Sequence, residues 1–138
     1  MARKVRDPQI YISKKARELF TNMKNTFGQF KHMENKDLFF LAFIFGYLNK
    51  KKKSLTVNDR ETSGFTRDRY LSDADNAVLK AVAIQEKNDI GIIDDIPAVY
   101  AIAEAYANGG VEHLKKFIFD DPASTVKKFS LFLKQFKN

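Results

Sequence analysis

The sequence predicts a single all-α domain of five to six helices with a short N-terminal strand. Apolar residues recur at helical spacing along most of the 138 residues, and capping residues and glycines divide them into segments of helix length. The composition, 44% apolar and 30% charged, is that of an ordinary globular protein, and the length fits one domain. We expect a flexible basic arm over residues 1–7 and one helical domain over residues 8–138.

The first predicted elements are a strand and a helix. Residues 9–12 (QIYI) alternate polar and apolar side chains, which is typical of a strand with Ile10 and Ile12 facing the core. Ser13 follows at the position of an N-cap, because its hydroxyl can accept a hydrogen bond from the first turn. We therefore predict a helix over residues 14–25.

A central helix is predicted over residues 36–51, with Asn35 as its N-cap. Its middle, LFFLAFIFGYL, is apolar on every side, so the helix is either surrounded by other helices or buried in a dimer interface. Gly46 costs stability inside a helix and therefore indicates a close helix crossing. Three residues at four-residue spacing are expected to be deeply buried, either in the domain or in a homodimer: Phe40, Ile44 and Leu48.

The chain then enters a long irregular connection over residues 54–71, which carries no helical period. Ser72 and Asp75 form a capping-box pattern at the start of the next helix. Asp94-Asp95-Ile96-Pro97 is expected to start another helix, because proline is tolerated in a first turn and acids favour the positive end of the helix dipole.

Two further helices complete the prediction. Asn108-Gly109-Gly110 is read as a left-handed C-cap that ends the preceding helix. A short helix then follows over residues 111–119. Asp120-Asp121-Pro122 is expected to open the last helix, with apolar residues such as Val126 and Phe129 on one face.

The positive charge is concentrated in the first part of the chain. Residues 1–53 hold 13 Lys or Arg and 4 Asp or Glu, a balance of +9, whereas residues 54–138 hold 11 and 13, a balance of −2. Such an asymmetry indicates an anionic partner: nucleic acid, acidic protein or anionic lipid.

The lysine run at positions 50–53 exceeds what the end of a helix requires. Lysines are strongly hydrated point charges that suit sequence-independent contact with phosphates. We expect DNA phosphates to be neutralised by the basic arm, the first helix, the lysine run and the long connection: Arg3, Lys4, Arg6, Lys14, Lys15, Arg17, Lys50, Lys51, Lys52, Lys53, Arg60, Arg67 and Arg69.

No catalytic, metal or cofactor site is predicted. Cysteine is absent, and the two histidines, His32 and His113, are about 80 residues apart. The acid pairs Asp94-Asp95 and Asp120-Asp121 each precede a proline and a helix, so helix capping explains them better than catalysis does. The longest apolar run, 11 residues, is too short to cross a membrane, and we expect a cytoplasmic protein.

Two stretches together carry a family resemblance: DLFFLAFIFGYLNKKKKSL (37–55) and AIAEAYANGGVEHLKKFI (101–118). They are similar to a family of small accessory proteins encoded with DNA phosphorothioation (dnd) gene clusters of bacteria and archaea. The resemblance implies a role in DNA sulfur modification and restriction, and brings no catalytic residues with it.

We therefore expect a non-enzymatic DNA-binding accessory protein that contacts mainly the DNA backbone and works with proteins of a DNA-modification complex. One alternative is an adaptor without DNA contact, whose Phe-rich central helix serves as a homodimer or partner interface. Another is a ribbon-helix-helix dimer that reads bases with Gln9, Tyr11 and Ser13. A hydrolase that uses the paired carboxylates is a third.

Overall fold

The computed structural model describes the backbone of residues 8–120 and the side chains of residues 8–28 and 30–116. In this part of the chain, four α-helices accompany a two-stranded antiparallel sheet and three short 3₁₀ turns. The main elements are β1 (Gln9–Ile10), α1 (Lys14–Thr26), α2 (Asn35–Leu48), β2 (Thr66–Arg67), α3 (Asp73–Lys87) and α4 (Ile96–Asp120). The 3₁₀ turns are Gly28–Phe30, Asp68–Tyr70 and Ile90–Asp94. The predicted arm over residues 1–7 and the helix predicted after Pro122 lie outside the described residues.

The mostly helical fold with a short strand is confirmed, but residues 8–120 contain one α-helix fewer than predicted. The helices expected on either side of Asn108-Gly109-Gly110 form one continuous helix, α4. No glycine in the described chain has a positive φ, so neither Gly109 nor Gly110 takes the left-handed conformation of a C-cap. The two glycines instead lie against the backbone of other segments, where a side chain would not fit.

α2 is the central helix and packs mainly on α4. Its buried face consists of Leu38, Phe39, Leu41, Ala42, Phe43, Phe45 and Gly46. The expected burial of three residues within the domain was wrong: Phe40 and Ile44 are half-buried in the single chain, and Leu48 is 46% exposed. Since the helix is apolar all round, its sequence does not show which side faces inward.

The close helix crossing expected at Gly46 is confirmed. A Cβ atom added there would overlap the Tyr106 carbonyl oxygen and stand 2.9 Å from the Tyr106 carbonyl carbon. Only a residue without a side chain allows α2 and α4 to approach this closely.

The long connection returns to the N-terminal segment and pairs with it. Gln9 and Ile10 lie opposite Arg67 and Thr66 in the antiparallel sheet. The pairing extends beyond the sheet, because the Glu61 amide donates to the Ile12 carbonyl at 3.0 Å. Ile10 and Ile12 face the core as predicted.

The same pairing disfavours the ribbon-helix-helix alternative, because the described structure gives β1 a partner within its own chain. The three residues that would read bases in that arrangement also make hydrogen bonds within the chain. The Gln9 side-chain oxygen accepts from the Gly64 amide at 2.9 Å. The Tyr11 amide donates to Glu104, and Ser13 caps α1.

Most of the predicted helix caps are confirmed. The Ser13 hydroxyl accepts from the Ala16 amide at 3.0 Å, and Ser72 and Asp75 form the capping box at the start of α3. Asn35 was wrongly predicted as a cap. Glu34 occupies the N-cap position of α2, while the Asn35 side chain donates to the Phe65 carbonyl at 2.9 Å and ties α2 to the long connection.

Candidate nucleic-acid interface

The lysine run does not continue α2 but leaves it and lies along α4. Lys50 has a φ of 55°, which turns the chain after α2. The Lys51 amide then donates to the Gly46 carbonyl at 2.8 Å, and the Lys53 amide donates to the Ala105 carbonyl at 2.9 Å. Asn108 donates to the Lys53 carbonyl at 3.2 Å. These backbone contacts hold the lysine run in a fixed place and leave its side chains exposed.

Two lysines from distant parts of the chain converge on one carboxylate of α4. The Lys15 ammonium of α1 lies 3.0 Å from Oε1 of Glu112, and the Lys53 ammonium lies 3.3 Å from the same oxygen. The hydrogen bond from Lys15 is the largest cause that lowers the pKa of Glu112, with further contributions from Lys53. Glu112 is therefore charged at neutral pH.

A second carboxylate, that of Glu86 in α3, forms an ion pair with Lys52. Glu86 also accepts a hydrogen bond from the Tyr106 hydroxyl at 2.6 Å, and the Lys52 ammonium lies 5.7 Å from the centre of the Tyr106 ring. The hydrogen bonds from Lys52 and Tyr106 lower the pKa of Glu86. Burial, reinforced by Glu86, raises the pKa of Tyr106 to about 12.

His113 and Lys116 add to this surface one helical turn apart on α4. Burial is the main cause that lowers the pKa of His113, and the positive charges of Lys51 and Lys116 lower it further. His113 is therefore neutral at pH 7 and adds no charge that would repel the nearby Lys51 and Lys116. We call the resulting group the lysine cluster; it consists of Lys15, Lys51, Lys52, Lys53 and Lys116.

Sequence reasoning missed Lys116, His113 and the two glutamates. The helix predicted over residues 111–119 already places Glu112 and Lys116 at neighbouring positions. Their position beside the lysine run depends on the chain being helical through Gly109 and Gly110. The sequence favours a helix stop at those glycines and therefore does not predict that residues 112–116 lie beside the lysine run.

Lys14 and Lys15 are adjacent in α1 but have different neighbours. Lys15 reaches Glu112, whereas Lys14 lines a surface cleft together with Arg17 and Glu61. The Arg17 guanidinium lies 2.9 Å from the Glu61 carboxylate. The predicted contacts of α1 are thus divided between the lysine cluster and a separate, partly neutralised cleft.

Arg60 belongs to another group, next to β1. Its guanidinium lies 4.0 Å from the centre of the Tyr11 ring, and both residues line a cavity of about 220 Å³ with Glu104. The Glu104 carboxylate accepts a hydrogen bond from the Tyr11 amide at 2.6 Å. Burial outweighs that hydrogen bond and the charge of Arg60, and raises the pKa of Glu104 to about 7.

The remaining predicted contacts lie at β2 and in the arm. Arg67 is half-buried in β2, and the Arg69 guanidinium lies 5.8 Å from the centre of the exposed Tyr70 ring. Arg3, Lys4 and Arg6 lie outside the described residues. The structure therefore places Lys15, Lys51, Lys53 and Lys116 around Glu112 and His113, with Lys52 next to them at Glu86. Arg60 and Arg69 of the long connection lie instead beside aromatic rings.

Residues 8–120 contain neither a metal-ligating group of side chains nor a helix that could cross a membrane. No three His, Asp or Glu side chains in this range are grouped so that they could hold a metal ion. Among the helices of the same range, none is both long enough and apolar enough to cross a membrane.

Fold and surface together define a small helical domain with a lysine-rich face. A family model described as DNA sulphur modification system-associated protein 4 matches residues 9–138. The chain belongs to this family, which confirms its resemblance to accessory proteins of dnd clusters. No curated protein and no solved structure shows significant similarity to it.

Proposed function

We propose that this protein is a non-enzymatic, DNA-binding accessory protein of a cytoplasmic DNA sulfur-modification and restriction system that defends against phage. The observation that carries the proposal is the lysine cluster, in which side chains from α1, the lysine run and α4 meet on one surface. The family association supports a DNA-centred context and partners from a DNA-modification complex.

The charge balance of the cluster suits a phosphate backbone. Its five lysines face two carboxylates, Glu86 and Glu112, which leaves a surplus of three positive charges. Lysine binds phosphate as a mobile point charge and does not read base edges in a fixed geometry. The cluster is therefore suited to sequence-independent contact with DNA.

A salt titration tests the proposal. Each phosphate neutralised by a lysine releases condensed counterions, so the logarithm of affinity falls linearly with the logarithm of salt, with a slope of about −0.9 per contact. Replacing Lys51, Lys53 and Lys116 with Ser should flatten that slope by about 2–3 and weaken all duplex sequences similarly. Since Lys51 and Lys53 are held by backbone hydrogen bonds, the variant should keep its fold.

A control with the same loss of charge separates the cluster from the net charge of the protein. Lys24, Lys31 and Lys80 lie outside the cluster, and their replacement with Ser should leave the salt slope close to that of the wild type. Equal slopes for the two triple variants would contradict the assignment of this surface. Absence of wild-type affinity for duplex and single-stranded DNA at about 50 mM salt would contradict DNA binding itself.

The alternative is an adaptor without DNA contact. It is favoured by the internal pairing of Lys15, Lys52 and Lys53 with carboxylates, which satisfies part of their charge. Phe39 and Phe43 of the Phe-rich helix α2 are buried within the chain itself, so such an interface would have to use the face with Phe40, Ile44 and Leu48. Tight binding to a protein of the DNA-modification complex, without DNA affinity, would support the adaptor.

A further inference from the structure

We propose that Glu112 competes with DNA phosphate for Lys15 and Lys53, so that this carboxylate lowers the affinity of the lysine cluster for DNA. The inference rests on the proposed function and concerns how the same surface is regulated. It assigns an autoinhibitory role to one side chain of α4.

The geometry of the contact is that of a bound anion. Two ammonium groups, one from α1 and one from the lysine run, point at the same oxygen, Oε1 of Glu112, at 3.0 and 3.3 Å. A phosphate oxygen would be held by such a pair of lysines at similar distances. Glu112 therefore occupies the position that a DNA phosphate requires.

The contact is weak enough to be exchanged. The Lys15 and Lys53 side chains are 65% and 53% exposed, so both can swing toward solvent without unpacking the core. Ion pairs at this degree of exposure contribute little to stability. A DNA phosphate can reach these two lysines only where the pairs break, and it then lies near the Glu112 carboxylate, where like charges repel.

Glu86 differs from Glu112 in this respect. It pairs with Lys52 but also accepts a hydrogen bond from the hydroxyl group of the buried residue Tyr106 at 2.6 Å, which ties α3 to α4. Its removal would disturb the packing of two helices, whereas the Glu112 carboxylate pairs with the exposed side chains of Lys15 and Lys53. Glu112 is therefore the carboxylate whose effect on DNA can be measured separately from folding.

The test compares DNA affinity of the full chain before and after Glu112→Gln, using fluorescence anisotropy of a labelled duplex across a salt series. Glutamine keeps the size of the side chain and removes its charge. We expect binding about five-fold tighter at low salt and a salt slope steeper by about 1–2, because two lysines become available to phosphates.

Two matched controls make the effect specific. Glu34→Gln removes the same charge at the opposite end of α2, roughly 20 Å from the lysine run, and Glu34 makes no side-chain capping hydrogen bond. It should change affinity by less than two-fold. In a background of Lys15→Gln and Lys53→Gln, the effect of Glu112→Gln should also fall below two-fold, because the competed lysines are gone.

The outcomes separate this inference from the function on which it rests. A gain confined to Glu112→Gln in the presence of both lysines supports competition. Wild-type DNA binding that Glu112→Gln leaves unchanged or weakens overturns the inference and keeps DNA binding, because the carboxylate would then merely orient the lysines. If neither wild type nor variant binds DNA at about 50 mM salt, the proposed function fails and the inference with it.

Discussion

Gly110 of α4 lies directly against Gly46 of α2: a Cβ added to Gly110 would stand 2.7 Å from the Gly46 amide nitrogen. The same crossing places the lysine run. Gly46 accepts a hydrogen bond from the Lys51 amide, and a Cβ on Gly109 would stand 2.5 Å from the Lys51 carbonyl oxygen. The glycines of both helices thus set the closeness of the core packing and the position of the candidate binding surface.

Gly110→Ala should destabilise the protein by about 2–3 kcal/mol, because the added methyl group forces two helix backbones apart. This is a net figure, since alanine favours a helix by about 1 kcal/mol over glycine. Urea unfolding measures the change.

Gly28→Ala is the matched control, because a Cβ at Gly28 meets nothing within 4 Å and its φ is not positive. It should leave stability unchanged or raise it by about 0.4–1 kcal/mol. A neutral Gly110→Ala would show that α2 and α4 do not touch at this point.

The two neighbouring phenylalanines of α2 should respond differently to truncation. Phe39 is 0% exposed and stacks on Phe43, so Phe39→Ala should cost about 3–5 kcal/mol. Phe40 is half-buried, and Phe40→Ala should cost about half as much, because part of the ring already lies in water. Equal costs in urea unfolding would contradict the orientation of α2.

This pair shows what the sequence can and cannot predict about the core. The existence of a central helix follows from eleven consecutive apolar residues bounded by polar ones. Which of its sides faces α4 does not follow from the sequence, because a helix that is apolar all round shows no periodic pattern. Only tertiary packing decides between Phe39 and Phe40.

The glycines of α4 show a second limit. Asn108-Gly109-Gly110 has the residue types of a helix stop, and local propensity favours that interpretation. In the fold, the close approach of α2 and of the lysine run outweighs the cost of two glycines in a helix. Gly46 indicates a close helix crossing in the sequence, but nothing in the sequence identifies Gly110 as the residue that it contacts.

The candidate site was also only partly predictable. The lysine run and Lys15 were found from charge alone, since clustered lysines are visible in any sequence. Their acidic partners Glu86 and Glu112 cannot be found from charge alone. These residues are 34 to 97 positions away in the sequence, so their contacts with the lysines depend on how the helices pack. Charge counting therefore identifies these lysines as candidates but not the carboxylates that pair with them.

Asp95→Asn should leave stability within about 0.5 kcal/mol of the wild type, because asparagine caps a helix about as well as aspartate. The Asp95 carboxylate accepts from the Ala98 amide at 3.1 Å, as an N-cap does. Asp95→Ala, which removes the acceptor, should cost about 1 kcal/mol. A hydrolytic or nucleolytic activity lost in Asp95→Asn at unchanged stability would support the hydrolase in place of a capping role.

Glu104 should make the folded protein less stable as the pH rises from about 4.5 to about 7. The pKa of Glu104 is raised by burial from 4.5 to about 7, so the unfolded chain ionises this group earlier than the folded one. The destabilisation by Glu104 is absent below pH 4.5, grows between pH 4.5 and about 7, and is constant above that pH. A shift of this size corresponds to about 3 kcal/mol.

Glu104→Gln should remove that dependence, because glutamine does not titrate yet its side-chain oxygen can still accept the hydrogen bond from the Tyr11 amide. The variant should match the wild type near pH 4 and exceed its free energy of unfolding by up to about 3 kcal/mol at pH 8. His113, whose pKa burial lowers, acts in the opposite sense in both proteins, so their difference at each pH isolates Glu104. Urea unfolding from pH 4 to 8 measures it, with Glu18→Gln on the exposed face of α1 as the control. A difference that stays constant over this range would show that Glu104 ionises in the folded protein as it does in the unfolded chain.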